Sequence, residues 1–523
     1  MLRLTDFRCL ICFFEIIFLF VQKCQNRLTF GEKFSIISGK DKKCPKIIFG
    51  GLLMAKNLVY DIHDRPKFGP MLVFAFQQVL AILAATILVP AIVGNGMSQS
   101  AALFGAGIGT LVYQLLTKFR SPVFLGSSFA FIGSMCAAFA GGVSMALGYV
   151  GLIIGAVFAG LVYVIIAIIV KFAGIKWINK LMPPVVIGPT VALIGLSLAV
   201  NAVNDLTVGK VGHLESSFVT TMKDGAVINV TDPATSFVSD CNPHIALLCG
   251  IITLLSIFLF SVYGKKMMKL IPFILGILVG YIAASIFTVI GIATGNVELQ
   301  IINFAAFKGM EIFAVPDFTF LTAFGGIKEI TPSYIATIAV AYIPVAFVVF
   351  AEHIADHKNL SSIIEKDLLE DPGLHRTLLG DGIGSMAGAF FGGCPNTTYG
   401  ESVGCVAITR NASVITISTA AIMSIVISFF GPFVTFLSSI PNCVMGGVCV
   451  ALYGFIAVSG LKMIQKVDLN EGRNLFVVSS ILIPGIGGLS LTFGKITITT
   501  VAVSLILGII TNILLNIKKD KAE

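Results

Sequence analysis

The sequence predicts an all-α polytopic membrane protein of fourteen transmembrane segments, built as two inverted repeats of seven with short β-strands in the broken third and tenth segments. Three observations carry this reading. Hydrophobic residues fill 56% of the 523 positions and charged residues only 12%, against about 25% charged in an average soluble domain, and the mean hydropathy is +0.96. The apolar residues fall into runs near the length of about 20 residues that crosses a bilayer, seven in each half. An odd number of spans per half turns the second half over relative to the first, which makes the repeats inverted.

Residues 1–53 stand apart from this pattern. Their one apolar patch, Cys9 to Val21, is shorter than a span, no small-residue cleavage site follows it, and a basic stretch without periodicity runs on to Lys46. From Met54 the chain reads MAKNLVYDIHDRPKFGP, an ordinary lead-in to a membrane helix, and Gly50-Gly51 matches the translation of a purine-rich ribosome-binding sequence. The expected start is therefore Met54, with 1–53 a non-native upstream extension and 54–68 a cytoplasmic lead-in. An intact mass that retains Met1 would overturn this.

The first repeat, 69–295, has runs near 70–93, 100–117, 147–172, 184–203, 244–263 and 271–294, with a broken run at 121–140. Residues 296–331 form an extracellular connection. The second repeat, 332–517, has runs at 333–355, 376–393, 412–437, 443–463, 474–490 and 496–516, with a broken run at 394–409, and 518–523 is a tail. If the spans alternate, Lys118, Arg120, Lys171, Lys265, Lys269, Lys366, Arg376, Arg410, Lys462, Arg473 and the tail lysines share one side. Positive charge marks that side as cytoplasmic and puts both termini there, while the loops near 204–243 and 295–331 face outward. The net charge of +8 thus belongs to loops of a plasma-membrane protein and not to a nucleic-acid surface. Eleven cysteines are scattered along the chain, four of them before residue 45, and they imply neither a disulfide framework nor a metal cluster.

Internal similarity agrees with a repeat. Pro183-x-x-Val186-x-Gly188 returns as Pro441-x-x-Val444-x-Gly446, Ala192-Leu-Ile-Gly195 as Ala451-Leu-Tyr-Gly454, and Leu275-Gly276-Ile277 as Leu507-Gly508-Ile509. The third span of each half is interrupted. Ser121-Pro122 to Phe131 leans towards strand before Gly126, Ser127 and Ser128, and its counterpart Phe391 to Arg410 reads FGGCPNTTYGESVGCVAITR. Broken backbone cannot face lipid, because its polar groups would go unpaired. Two interrupted segments at matching positions point to a transporter's binding site. If half-helices follow short extended pieces there, the free N–H groups at Phe129 and at Gly400 or Glu401 point into one cavity, where they suit carbonyl or anionic oxygen.

The ionisable residues cluster where the eighth span ends. Glu352 and Asp356 are four apart and share a helix face, as do His353 and His357. Hydropathy alone ends the span near Ala351. Glu352, abutting the apolar run, is read as inside a protein-lined cavity, and His357 and Lys358 as solvated at the surface. The histidine spacing lacks the H-E-x-x-H order and a third ligand, and Ser127, Ser128 and Ser402 have no nearby histidine, so an intramembrane metalloenzyme or serine hydrolase is disfavoured. A channel would need a continuous polar pore, whereas the two glutamates occupy only two segments.

Gln77-Gln78-Val-Leu-Ala, Leu88-Val-Pro90, Gly126-Ser-Ser-Phe-Ala-Phe131, Pro183-Pro-Val-Val-x-Gly188, Ala351-Glu-His353, Lys366-Asp-Leu-Leu-x-Asp-Pro-Gly-Leu-His-Arg376 and Asn396-Thr-Thr-Tyr-Gly-Glu401 with Gly404 and Thr409-Arg410 together resemble the nucleobase–ascorbate transporter family, and within it the bacterial uracil permeases. The resemblance covers Asp64 to Lys518. It implies core and gate domains that move against each other in alternating access, usually in a homodimer, with substrate between the two half-helices. It implies that Glu352 and Glu401 are substrate-binding carboxylates, that Phe129 and Gly400 offer backbone N–H groups, and that Tyr399 adjoins them. Asp356 stands where related permeases carry a proton-coupling histidine, so Asp356, Glu352 and Glu401 are the proton-coupling candidates. Gln78, Ser128 and Ser402 are supporting residues, with Gln78 in place of the usual His and Ser402 in place of the usual Asn. A free aspartate titrates near 3.9 and a histidine near 6.5, so coupling through Asp356 would have a different pH range.

The chemistry is consistent with such a substrate. Uracil offers two N–H donors and two carbonyl acceptors on a flat ring, which two carboxylates and two backbone N–H groups can satisfy together. Leaving one donor unmade costs about 1–3 kcal/mol, enough to discriminate between bases. Two acids in a low-dielectric cavity repel when both are ionised, so protonation of one would favour binding and give a route to symport. The expected function is proton-coupled uracil uptake without a cofactor, and the alternative is a xanthine or other purine carrier.

Overall fold

The computed structural model describes residues 58–174, 183–217, 220–223, 226–229, 234–265, 267–308, 311–493 and 496–516. The reading of 1–53 as an extension therefore lies outside the described residues, as do the start at Met54 and the tail at 518–523. Helices α1 (Phe68–Val93) and α2 (Gln99–Leu116) lead to strand β1 (Leu125–Ser127), a 3-10 turn at Phe129–Phe131 and α3 (Ile132–Ala138). Then come α4 (Met145–Ala173), α5 (Pro184–Ser197), α6 (Ala199–Asp205), strands β2 (Gly212–Ser217), β3 (Thr220–Lys223), β4 (Ala226–Asn229) and β5 (Ala234–Ser239), α7 (Pro243–Tyr263) and α8 (Pro272–Thr294). The rest is α9 (Thr319–Gly326), α10 (Pro332–Ile364), α11 (Leu374–Gly392), β6 (Asn396–Thr398), α12 (Gly400–Thr409), α13 (Val414–Ile427), α14 (Gly431–Ser439), α15 (Asn442–Ile464), α16 (Gly472–Ile486), β7 (Leu491–Phe493), β8 (Ile496–Ile498) and α17 (Thr500–Asn516).

Among the described residues seven helical stretches are long and apolar enough to cross a membrane: α1, α4, α5 with α6, α7, α8, α10 and α15. Shorter apolar helices, among them α13, α16 and α17, accompany them. Their ends follow local chemistry. Ser98, Ser144 and Thr331 accept hydrogen bonds from backbone N–H groups in the first turns of α2, α4 and α10, which satisfies donors that a helix start leaves open. Pro183 and Pro441 stand at the N-caps of α5 and α15, so both copies of the repeated Pro-x-x-Val-x-Gly motif begin a helix in the same way.

Small residues bring backbones together, the usual basis of helix packing in lipid. A Cβ on Gly105 of α2 would stand 2.4 Å from the carbonyl oxygen of Gly388 on α11, and one on Gly460 of α15 would stand 2.2 Å from the backbone nitrogen of Ala192 on α5. Helices α1–α4 and α10–α13 pack mainly on one another, while α5, α7, α8 and α15 form a second set, with α16 and α17 against α5. The connection at 204–243, read as a plain loop, contains the antiparallel pairs β2–β5 and β3–β4.

Hydropathy misplaces the end of α10. The helix runs unbroken to Ile364, and His357 is fully buried instead of solvated. Its Nδ1 donates to the His353 carbonyl at 2.8 Å, which leaves Nε2 to accept from the Tyr113 hydroxyl at 2.8 Å. A hydropathy scale prices imidazole as unpaired, and here both nitrogens have partners. Lys358, one residue on, is exposed as expected.

Candidate functional site

The broken segments build the floor of the site. Gly393, with φ at 74°, ends α11 in the left-handed conformation that glycine adopts most readily. Pro395 follows and keeps the residue before it extended. Asn396–Thr398 then pairs antiparallel with Leu125–Ser127 in the register Leu125↔Thr398, Gly126↔Thr397 and Ser127↔Asn396, and Ser128 N–H donates to the Pro395 carbonyl at 2.9 Å. All six paired residues are buried. Asn396 locks the strand into the helix layer by donating from Nδ2 to the Gly105 carbonyl at 3.0 Å.

A helix starts after each strand, the 3-10 turn at Phe129 and α12 at Gly400. Neither start has a side chain capping it, and an uncapped start leaves N–H donors and a partial positive charge open to whatever faces it. Phe129, Gly400 and Glu401 line one cavity of about 380 Å³ together with Glu352, Asp356 and Tyr399. The sequence-derived substrate residues thus share a single space. The opposite wall is apolar, from Ile187, Val191 and Ile194 of α5 and Leu452 and Ile456 of α15. Such a wall suits a flat ring face, as the acids and open N–H groups suit its polar edge.

The acids differ in their neighbours. The Glu352 side chain opens into the cavity, whereas Asp356, one turn on, accepts a hydrogen bond from Thr398 Oγ1 at 2.8 Å. A Cβ on Gly400 would lie 3.8 Å from Asp356 Oδ1, so this acid abuts the start of α12. Tyr399 presents its ring to the cavity but commits its hydroxyl to the Ser127 carbonyl at 2.6 Å. Its ring lies over Gly126, where a Cβ would come within 2.3 Å of it.

Two of the supporting residues sit behind the cavity and touch each other: Gln78 Nε2 donates to the Ser402 hydroxyl oxygen, which also accepts from the Phe124 N–H at 3.2 Å. Ser128 is buried and its hydroxyl has no hydrogen-bond partner among the described residues. One acid escaped the sequence reading. Asp381 of α11 is fully buried 2.7 Å from His353 Nδ1, whose Nε2 lies 3.0 Å from Thr377 Oγ1. The signal was available, since a lone carboxyl inside the apolar run 376–393 is a functional candidate by default. Among the described residues no group of three or more His, Cys, Asp or Glu is placed to hold a metal ion.

Comparison with known proteins gives this site its context. A family model described simply as a permease family matches residues 69–494. The chain is 39% identical over 469 residues to the uracil permease of Bacillus caldolyticus, covering 89% of this chain and 96% of that one. The chain belongs to the nucleobase–ascorbate transporter family of permeases. This permease is also 33% identical over 451 residues to the uracil permease of Escherichia coli K12, covering 86% of the permease and 92% of that relative. Among solved structures it is similar in fold to the transmembrane domain of the cyanobacterial bicarbonate transporter BicA, with a TM-score of 0.56, 15% identity and coverage of 87% and 100%. Murine Slc26a9, an anion transporter solved in its inward-facing state, gives a TM-score of 0.55 at 11% identity, covering 94% of the permease and 77% of that chain. The permease is thus a multi-pass membrane protein of a transporter family and not an enzyme.

Proposed function

We propose that this permease takes up uracil together with a proton by alternating access. The observation that best supports the reading is the meeting of Glu352 and Glu401 with the uncapped helix starts at Phe129 and Gly400 on one cavity. Two carboxylates accept from the two ring N–H groups, and the backbone N–H groups donate to the two carbonyls. The buried ring then leaves no polar group unpaired. Relatives named as uracil permeases at 33–39% identity over most of the chain point the same way.

Asp356 is the coupling acid in this reading. It lines the cavity beside Glu352 and Glu401, and Thr398 holds it in place. A proton shared among Asp356, Glu352 and Glu401 relieves their mutual repulsion when the ring enters. The helix set containing α10–α12 serves as the core that carries substrate, and the set containing α5, α7, α8 and α15 as the gate, in two inverted seven-segment repeats. Both termini are cytoplasmic by the distribution of Lys and Arg, and two copies associate in the plasma membrane.

Labelled uracil uptake into proteoliposomes tests this, with and without an inward proton gradient, for wild type and Glu401→Gln, with unlabelled xanthine as competitor. Gradient-driven uptake that xanthine does not displace and that the variant loses is the expected result. Competition by xanthine moves the substrate to a purine, and uptake indifferent to the gradient removes the proton.

A further inference from the structure

We propose that residues Leu58–Asp64 form a positioning strap for the substrate site, joining the C-terminal ends of the two helices that carry its acids, α10 and α12. The proposal rests on the reading of Glu352 and Glu401 as substrate carboxylates and adds what holds them in register.

The strap binds the far end of α12 through its backbone. Val59 N–H donates to the Arg410 carbonyl at 2.8 Å, Ala412 N–H to the Tyr60 carbonyl at 2.9 Å and Val414 N–H to the Ile62 carbonyl at 3.0 Å, forming a parallel bridge between Tyr60 and Asn411. The Ser413 hydroxyl adds a bond to the Asp64 carbonyl at 2.7 Å. Arg410 has φ at 55°, so the chain reverses there, and the strap takes up the carbonyl of this residue.

Side chains carry the strap across to α10. Asp61 Oδ2 pairs with Lys366 Nζ at 2.5 Å, just past the end of that helix. Ile62, only 5% exposed, belongs to one apolar cluster with Leu360 and Ile364 of α10 and Val403 and Val406 of α12. A single short segment is therefore bonded to the chain just past the end of both helices and shares an apolar cluster with side chains of each.

The mechanical consequence follows from length. Helix α12 has ten residues and is about 15 Å long at 1.5 Å per residue, with Glu401 in its first turn and Arg410 just past its last. Tilting it by about 4° about the held end shifts Glu401 by about 1 Å, and a misplacement of that size can cost about 100-fold in a positioned site. Three inter-strand bonds and a buried isoleucine resist such a tilt.

The test compares uracil KM, kcat and equilibrium binding in the full chain for Ile62→Asp, Asp61→Lys, Lys366→Asp and the double charge exchange. Ile62→Asp puts a carboxylate into this buried apolar cluster and releases the strap. It should raise uracil KM and Kd about 10-fold or more while kcat changes less, in protein that stays monodisperse and becomes trypsin-sensitive at Arg65 or Lys67. Each single charge reversal should raise KM by about 2- to 5-fold, within the range of an exposed pair, and the exchange should restore it. Unchanged binding in a trypsin-sensitive Ile62→Asp protein overturns the strap alone. If that variant does not fold, the charge series decides, and equal KM values across it, or no rescue, overturn the proposal. A wild type that binds no uracil overturns the substrate reading and the strap's role with it.

Discussion

Thr398 donates a hydrogen bond to Asp356 across 2.8 Å, so the strand that builds one half of the sheet also fixes the acid one turn beyond Glu352. The bond joins the two halves of the site chemistry: the paired strands that open the helix starts and the helix face that holds the acids. Thr398→Val removes the donor with little change in shape. A hydrogen bond to a charged group is worth about 1.5–3 kcal/mol, so proton-driven uracil uptake should fall about 10- to 100-fold. Uracil binding at equilibrium, measured by calorimetry, should change much less. Equal losses in both would mean that Thr398 serves the substrate and not the coupling step.

Gly126→Ala should damage the site from beneath. The new methyl would meet the Tyr399 ring at 2.3 Å, and the ring cannot retreat without breaking its hydroxyl bond to Ser127. Overpacking of this kind costs about 1–3 kcal/mol. Thermal unfolding in detergent should show a lower Tm, and uracil affinity should drop with it.

Asp381→Leu should cost stability more than it alters the cavity. Asp381 and His353 are both fully buried and 2.7 Å apart, away from the cavity lining. Removing the carboxyl strands a buried imidazole nitrogen at about 1–3 kcal/mol. The Tm should fall in the absence of uracil, and Asp381→Asn should recover part of the loss because its amide can still pair with Nδ1.

The strap gives a pH signature outside the membrane. Partial burial pushes the Asp61 carboxyl up, but the hydrogen bond and charge of Lys366 and the Ile62 N–H outweigh it and hold the group below its ordinary value of 3.8. A folded-state value below the unfolded one gives stabilisation that is present above 3.8 and lost as the pH falls through the folded value. The pair is half exposed, so its share is under about 1 kcal/mol. The Tm difference between wild type and Asp61→Asn should be measurable at pH 7 and vanish once the pH drops below the ordinary carboxylate range. A difference that persists in acid would detach the effect from this carboxyl.

Much of the site was legible because it breaks rules that the rest of the chain keeps. Gly392, Gly393 and Pro395 interrupt an apolar run, and Ser121 to Ser128 does the same in the first half, so the paired strands and the helix starts at Phe129 and Gly400 could be expected from sequence. Glu401 stood out as an acid beside such a break, and Glu352 as one abutting the apolar run of its span. The partnerships could not be read the same way. Thr398 with Asp356, Asp381 with His353 and Tyr113 with His357 join residues that only the folded chain brings together. The burial of His357 failed on the same ground, since a scale that scores residues singly cannot know that both ring nitrogens will be satisfied. The strap was hidden for another reason: Leu58 to Asp64 has no periodicity, and its bonds come from backbone atoms that every residue owns.

The sheet of Leu125–Ser127 with Asn396–Thr398 also sets the order of assembly. Its first strand is synthesised early and its second only after most of the chain, so during synthesis β1 waits with an open edge inside a half-built protein. Pairings so distant in sequence form slowly, because their closure entropy must be met before they return anything. The floor of the cavity is therefore among the last parts to exist. A chain halted before residue 396 lacks the strand that pairs with β1 and the helix that carries Glu401.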